Sequence, residues 1–236
     1  MSKGVVLSLY DYTGEALKPW AEKGYCCYAF DIQHPVEGFK KGEICYRHSD
    51  LHDPEALNDI RKEFADKNVI FGMGFPVCTD LAVSGAAHFR RKAEVNPSFQ
   101  REAVRYVKMC DELLGSMAIS YFIENPVSVL ATRWRKPDYS YQPYEYGGYI
   151  ALRDAPHPRW PEYIAPRDAY SKKTCLWTGK GFVMPEKVAV AVQNPSQHAL
   201  QYRKLGGKSQ RTKDIRSATP RGFSMAICEA NDPNPC

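Results

Sequence analysis

Short β-branched and apolar runs alternate with amphipathic stretches through the first half of the chain. Residues 4–10 read as a first strand, and Asp11-Tyr12-Thr13-Gly14 turns the chain after it. Residues 15–23 predict a helix with Gly24 as its stop. A second strand is expected over 25–30, closing at Asp31, and a third over 43–47, closing near Asp50. Asp53 as N-cap, with Pro54 in the first turn, opens a helix through about residue 65. A fourth strand at 69–72, a long helix around 97–115 and a fifth strand at 119–123 complete the series. This alternation predicts an α/β fold built on a doubly wound, mostly parallel sheet.

The pattern changes after about residue 131. Residues 132–170 are dense in proline, tyrosine and arginine and weakly periodic, and read as a small irregular appendage to a 1–131 core. Strand character returns at 173–178 and 187–192, within a 171–192 return to the core. A basic, glycine-containing loop is expected over 193–215, and a helical pattern resumes at 222–231 inside a closing 216–236 segment. Apolar residues make up 44% of the 236, so a normal core is expected, and the net charge of +5 is mild. No apolar run approaches the length of a membrane span, and the N-terminus enters a strand without a signal-peptide layout. Eight cysteines contain no Cys-x-x-Cys pair, which predicts reduced thiols in a cytoplasmic protein. His157, set between two prolines, reads as a turn residue, and no metal site is expected.

The chemistry concentrates at the carboxyl ends of the predicted strands, where open α/β sheets place their ligands. Gly74-Phe75-Pro76-Val77-Cys78-Thr79-Asp80-Leu81-Ala82-Val83-Ser84-Gly85 follows the fourth strand, and Ile123-Glu124-Asn125-Pro126 follows the fifth, 46 residues past the cysteine. A thiolate to attack and a carboxyl to give a proton would suit an electron-poor ring. At the other end, Gly14 lies in the first turn, and Asp31, 17 residues on, is placed to accept hydrogen bonds from ribose hydroxyls. Asp50 is placed for an adenine amino group and Ile32 for the ring face. The first turn has one glycine, short of the three that bring a backbone up to a pyrophosphate. That favours S-adenosylmethionine over a dinucleotide.

Together these elements resemble the cytosine-5 DNA methyltransferases, particularly the compact bacteriophage versions, over about 5–131 and 170–231. Tyr10-Asp11-Tyr12-Thr13-Gly14 is similar to the family's Phe-x-Gly-x-Gly cofactor turn, and Cys78 to Gly85 to its Pro-Cys-Gln-x-Phe-Ser-x-x-Gly nucleophile loop. Glu124-Asn125-Pro126 stands for Glu-Asn-Val, and 217–226 resembles the last helix. The resemblance implies cofactor contacts from Tyr10, Asp11, Thr13, Gly14, Asp31, Ile32, Asp50, Leu51 and Pro76. It implies chemistry at Cys78 and Glu124, with Asn125 shaping the loop. Lys172 and Lys173 take the position of the family's Gln-x-Arg-x-Arg loop. The chain departs from the pattern at Val77, where the family has proline, and at those lysines.

The implied reaction is methyl transfer from S-adenosylmethionine to C5 of a flipped-out cytosine. The implied partner is double-stranded DNA, and the protein is expected to act as a monomer. Arg133 and Arg135, interleaved with Trp134 and Tyr139, suit phosphate contacts, stacking or a guanine edge. Lys208 and Arg211 lie in the basic run, which reads as a phosphate-contacting loop. With so little recognition surface, a target of about two to four base pairs is expected. The same chemistry on RNA, and a catalytically inactive binder of DNA or cofactor, stay open. A nicotinamide enzyme is the weakest alternative.

Overall fold

The computed structural model describes residues 3–192, 200–206 and 209–234. Its strands are β1 (Val5–Leu9), β2 (Cys26–Asp31), β3 (Phe39–Lys41), β4 (Ile44–His48), β5 (Val69–Gly74), β6 (Ser120–Pro126), β7 (Tyr139–Tyr141) and β8 (Thr174–Thr178). The helices are α1 (Lys18–Glu22), α2 (Pro54–Glu63), α3 (Phe89–Val95), α4 (Phe99–Ser116), α5 (Leu130–Arg133), α6 (Leu200–Lys204), α7 (Gln210–Ser217) and α8 (Arg221–Asn231). All eight strands form one sheet, ordered β3-β4-β2-β1-β5-β6-β8-β7. The pairs β4/β2, β2/β1, β1/β5 and β5/β6 are parallel, whereas β3/β4 and β6/β8 are antiparallel. The sheet is thus doubly wound and mostly parallel, of the Rossmann-like class. From β1 the order runs one way through β2 to β4 and the other way through β5 to β6, so the switch point lies between β1 and β5.

The chain divides into two compact units. The first comprises residues 1–12, 20–140 and 174–182 and contains the sheet. On one face, α4 buries Ala103, Val104, Val107, Cys110, Leu113 and Leu114, an i, i+3, i+4 stripe, over β5 and β6. Close approach requires glycine in β5: a Cβ on Gly74 would lie 2.4 Å from the Cys110 sulfur, and one on Gly72 would lie 2.7 Å from Leu114. The other face carries an aromatic layer in which Trp20 stacks on Phe71, with Phe122 and Phe182 beside them. Asp53 accepts the Glu55 N–H at 2.9 Å, so α2 starts at the predicted cap.

The second unit comprises residues 13–19, 141–173 and 183–236. Its core includes Trp160, Ile164, Tyr170, Leu205, Ile215 and Ala218, and a stack of Tyr141 on Phe223 at 3.7 Å. Three expectations change. Residues 187–192 form no strand; Val188 and Val190 pair instead with Gly148 and Tyr144 around a 3-10 turn, which offers no ladder. The basic run is helical in α6 and α7, the latter capped by the Ser209 hydroxyl accepting from the Thr212 N–H. The predicted 15–23 helix begins as a 3-10 turn at Glu15–Leu17, and the edge strand β3 was not expected. No described helix is long and apolar enough to cross a membrane.

Candidate active site

Parallel pairing puts the carboxyl ends of β1, β2, β4, β5 and β6 along one edge. Leu9 pairs with both Phe30 and Gly74, and Gly74 with Ile123, so Tyr10, Asp31, Phe75 and Glu124 all begin at the same level. The Phe75 N–H donates to the Leu9 carbonyl at 3.0 Å, and the Asp11 N–H donates to Phe30 at 3.1 Å.

The Cys78 loop is fixed to the Glu124 strand end. Asn125, fully buried, donates from Nδ2 to the Pro76 carbonyl at 2.9 Å. Beyond the cysteine, Val83 donates to Val127 at 3.0 Å, and Val129 donates to Leu81 at 3.0 Å. The Leu81 and Ala82 N–H groups both turn back onto the Cys78 carbonyl, making the loop a tight bend. Cys78 and Glu124 are half-buried, and Val77 is exposed. Pro76 is thus the anchored residue, with Val77 at the surface. Asn125→Ala is expected to cost about 1–3 kcal/mol, since it strands the Pro76 carbonyl. Urea unfolding would measure this, with faster proteolytic cutting at 76–85 as the local sign.

The ends of β1, β2 and β4 are followed by, or close on, the carboxylates of Asp11, Asp31 and Asp50. Asp31 is buried and accepts at Oδ1 from the Gln33 N–H (2.8 Å) and from Gln33 Nε2 (3.1 Å). Asp11 is buried beside Ser8, whose hydroxyl donates to it at 2.8 Å. Asp50 is exposed and accepts the His52 N–H at 3.0 Å. Tyr10 has a left-handed backbone, φ 59°, which costs roughly 1–2 kcal/mol for a residue with a Cβ. Its hydroxyl donates to the Leu51 carbonyl at 2.9 Å. Burial first, then neighbours that include Asp50 and Asp31, pushes its phenol well above the ordinary range. Ile32 is 55% exposed and presents an apolar face, whereas the Leu51 side chain is buried in the core.

The sequence reading missed Tyr12, His34 and His52. His34 stacks with Tyr12 at 5.6 Å and meets the Asp11 carbonyl through Nε2 at 3.2 Å. His52 stacks with Tyr106 at 3.6 Å. Burial lowers the pKa of both imidazoles, keeping them uncharged at neutral pH. A lone histidine gives no spacing signal, so nothing in the sequence pointed to them. Segments 10–12, 31–34 and 50–52 carry three aspartates and no lysine or arginine. Those carboxylates are acceptors that could take ribose hydroxyl hydrogen bonds and that attract a cation.

The remaining predicted positions are more scattered. Arg135 is committed internally: it pairs with Asp138 at 2.6 Å, donates to the Thr178 carbonyl and lies over Trp134. Arg133 is exposed. In the second unit, Gly14 is left-handed (φ 67°) and Thr13 accepts the Glu15 N–H. Lys172 donates to the Arg216 carbonyl at 2.9 Å, Lys173 is exposed, and Arg211 lies over the Tyr163 ring. Lys208 lies outside the described residues. None of the seven described cysteines is in a disulfide. No group of three or more His, Cys, Asp or Glu among the described residues is placed to hold a metal ion.

No protein-family model matches the chain, and no curated protein does. Among solved structures it is similar to an E. coli prophage protein described as a DNA modification methyltransferase (13% identity, 74% of this chain and 46% of that one, TM-score 0.41). A methyltransferase of the mycinamycin biosynthetic pathway, in complex with Mg and SAH, gives 15% identity, 76% and 42% coverage and a TM-score of 0.37. A Serratia marcescens short-chain dehydrogenase/reductase double mutant gives 13%, 49% and 52%, and 0.33. The chain spans about half the length of these structures or less. The functional reading rests on the geometry of the site.

Proposed function

We propose that the protein transfers a methyl group from S-adenosylmethionine to C5 of cytosine in double-stranded DNA. The observation that supports this best is the pairing of the Cys78 loop with the Glu124 strand end, on the same sheet edge as Asp11, Asp31 and Asp50, which stand at or just past the ends of β1, β2 and β4. Asp31 would hold the ribose hydroxyls of the cofactor, Ile32 its adenine face and Asp50 its adenine amino group. When bound, the cofactor supplies an electrophilic methyl on a sulfonium. The target base must leave the stack, at roughly a few kcal/mol. The Cys78 thiolate adds to C6, forming a covalent bond and pushing electrons into the ring. Glu124 gives a proton or hydrogen bond to N3, which makes C5 nucleophilic. After methylation, a base, which solvent water or hydroxide can supply, takes the C5 proton; its electrons restore the C5–C6 double bond as the C6–S bond breaks and the Cys78 thiolate leaves. Asn125 takes no part in these proton transfers; it holds Pro76 and with it the approach of the thiol.

The test is incubation with tritiated S-adenosylmethionine and unmethylated duplex DNA, beside an RNA control and a duplex containing 5-fluorocytosine. Label on duplex DNA and a covalent adduct are expected. Label on RNA alone would move the substrate and keep the chemistry. Cofactor binding without label or adduct would sink the catalytic reading in favour of an inactive binder. Lys172, whose ammonium is held on the Arg216 carbonyl, is the observation that favours that second reading.

A further inference from the structure

We propose that Lys92 is a positioning residue for Cys78, setting the reactivity of the nucleophile loop from the helix that follows it. This rests on the functional reading above. Three consecutive cations stand on α3. Arg90 is 94% exposed in its side chain and Arg91 is exposed, whereas Lys92 is 32% exposed and turned inward. Its ammonium donates at 3.0 Å to the carbonyl of Thr79, the residue directly after Cys78, and pairs with the carboxylate of Asp80. The loop then has three ties. Asn125 holds Pro76 on one side of the nucleophile, the Val127–Val129 backbone holds Leu81–Val83 on the other, and Lys92 holds the tip between them. The first two act two or more residues from the thiol; Lys92 acts on the adjoining peptide.

A half-exposed ion pair adds little to global stability. Its effect is expected in placement, because a shift of about 1 Å in a reacting group can cost on the order of 100-fold in rate. Loss of the ammonium frees the Thr79 carbonyl and leaves Asp80 as an uncompensated anion two residues from a thiolate, which opposes the charge the reaction needs.

The decisive comparison is of wild type with Lys92→Met, Lys92→Arg and Asp80→Asn. Lys92→Met is expected to lower kcat and the rate of 5-fluorocytosine adduct formation by roughly 10- to 100-fold. The KM for S-adenosylmethionine should stay within about twofold, because the cofactor-end aspartates are untouched. Lys92→Arg, which keeps the charge and donors, is expected to restore kcat to within roughly threefold of wild type. A second readout needs no substrate: iodoacetamide alkylation of Cys78, followed by peptide mass spectrometry, with the partly exposed Cys26 and Cys45 as internal controls. Its rate at Cys78 alone is expected to change by at least about fivefold in Lys92→Met. Wild-type kcat together with wild-type alkylation in Lys92→Met would overturn the inference. A wild-type protein that transfers no methyl group defeats the functional reading instead, and the alkylation rates then decide the role of Lys92.

Discussion

Replacing Cys78 by alanine is expected to abolish both label transfer to DNA and the 5-fluorocytosine adduct, a loss on the order of 10⁴-fold or more. The thiolate is asked to make and break the bond that turns C5 into a nucleophile, and alanine has nothing to offer in its place. The fold should not notice. Cys78 is half-buried on a loop tied through its backbone, through Asn125 and through Lys92. Unfolding midpoint and S-adenosylmethionine affinity should therefore match wild type in the same preparation. Glu124→Gln is the graded companion. It keeps a hydrogen-bond donor for N3 but removes the transferable proton, so a loss of roughly 10²–10⁴-fold is expected. Full transfer activity in Cys78→Ala would reject covalent catalysis at this residue.

Asp168→Asn is expected to stabilise the second unit at pH 7.5 by up to about 3 kcal/mol and to change it little at pH 4. The Asp168 carboxyl is 1% exposed; Oδ2 accepts the Gly222 N–H at 2.9 Å near the start of α8, while Oδ1 is buried with no hydrogen-bond partner. Burial pushes its pKa up to about 6, with the charge of Glu15 adding to this against the N–H donors and Arg221. An acid whose folded pKa lies above its unfolded value contributes stability that is full below about pH 4. That contribution is lost as pH rises through about 6. Asparagine keeps an acceptor for Gly222, tolerates the left-handed backbone at this position (φ 52°), and has no charge to desolvate. Exchange of the α8 amides with deuterium at the two pH values would read the difference. An equal gain at both would show that the charge is not the cause.

What the sequence made legible was whatever burial writes as a period. The parallel strands, the α2 cap at Asp53-Pro54 and the single buried face of α4 all follow from residue type and spacing. β3 left no such trace, because its three residues are exposed and pair only with β4 around Gly42. Residues 187–192 misled in the opposite sense: their alternation was real, but their partners sit in a 3-10 turn. α7 was hidden by its charge, since only Thr212 and Ile215 are buried. In the site, Cys78, Glu124 and Asp31 were legible as strand ends. The Asn125–Pro76 bond, 49 residues apart, and the Lys92–Asp80 pair, 12 apart, depend on side-chain reach in three dimensions, which no local pattern encodes.

The strand order carries a consequence for assembly. β8, laid down at Thr174–Thr178, is the antiparallel neighbour of β6, whose last residue is Pro126. Until residue 178 has left the ribosome, the strand that presents Glu124 has an open edge, and closing it waits on a long loop. The chain also passes between its two units at residues 12–13, 19–20, 140–141, 173–174 and 182–183. A fragment cut near residue 131 would keep Cys78 and Glu124 in sequence yet leave one edge of β6 open, a template for aggregation. Such a minimal core is expected to precipitate, and any shortened version must splice β8 back beside β6.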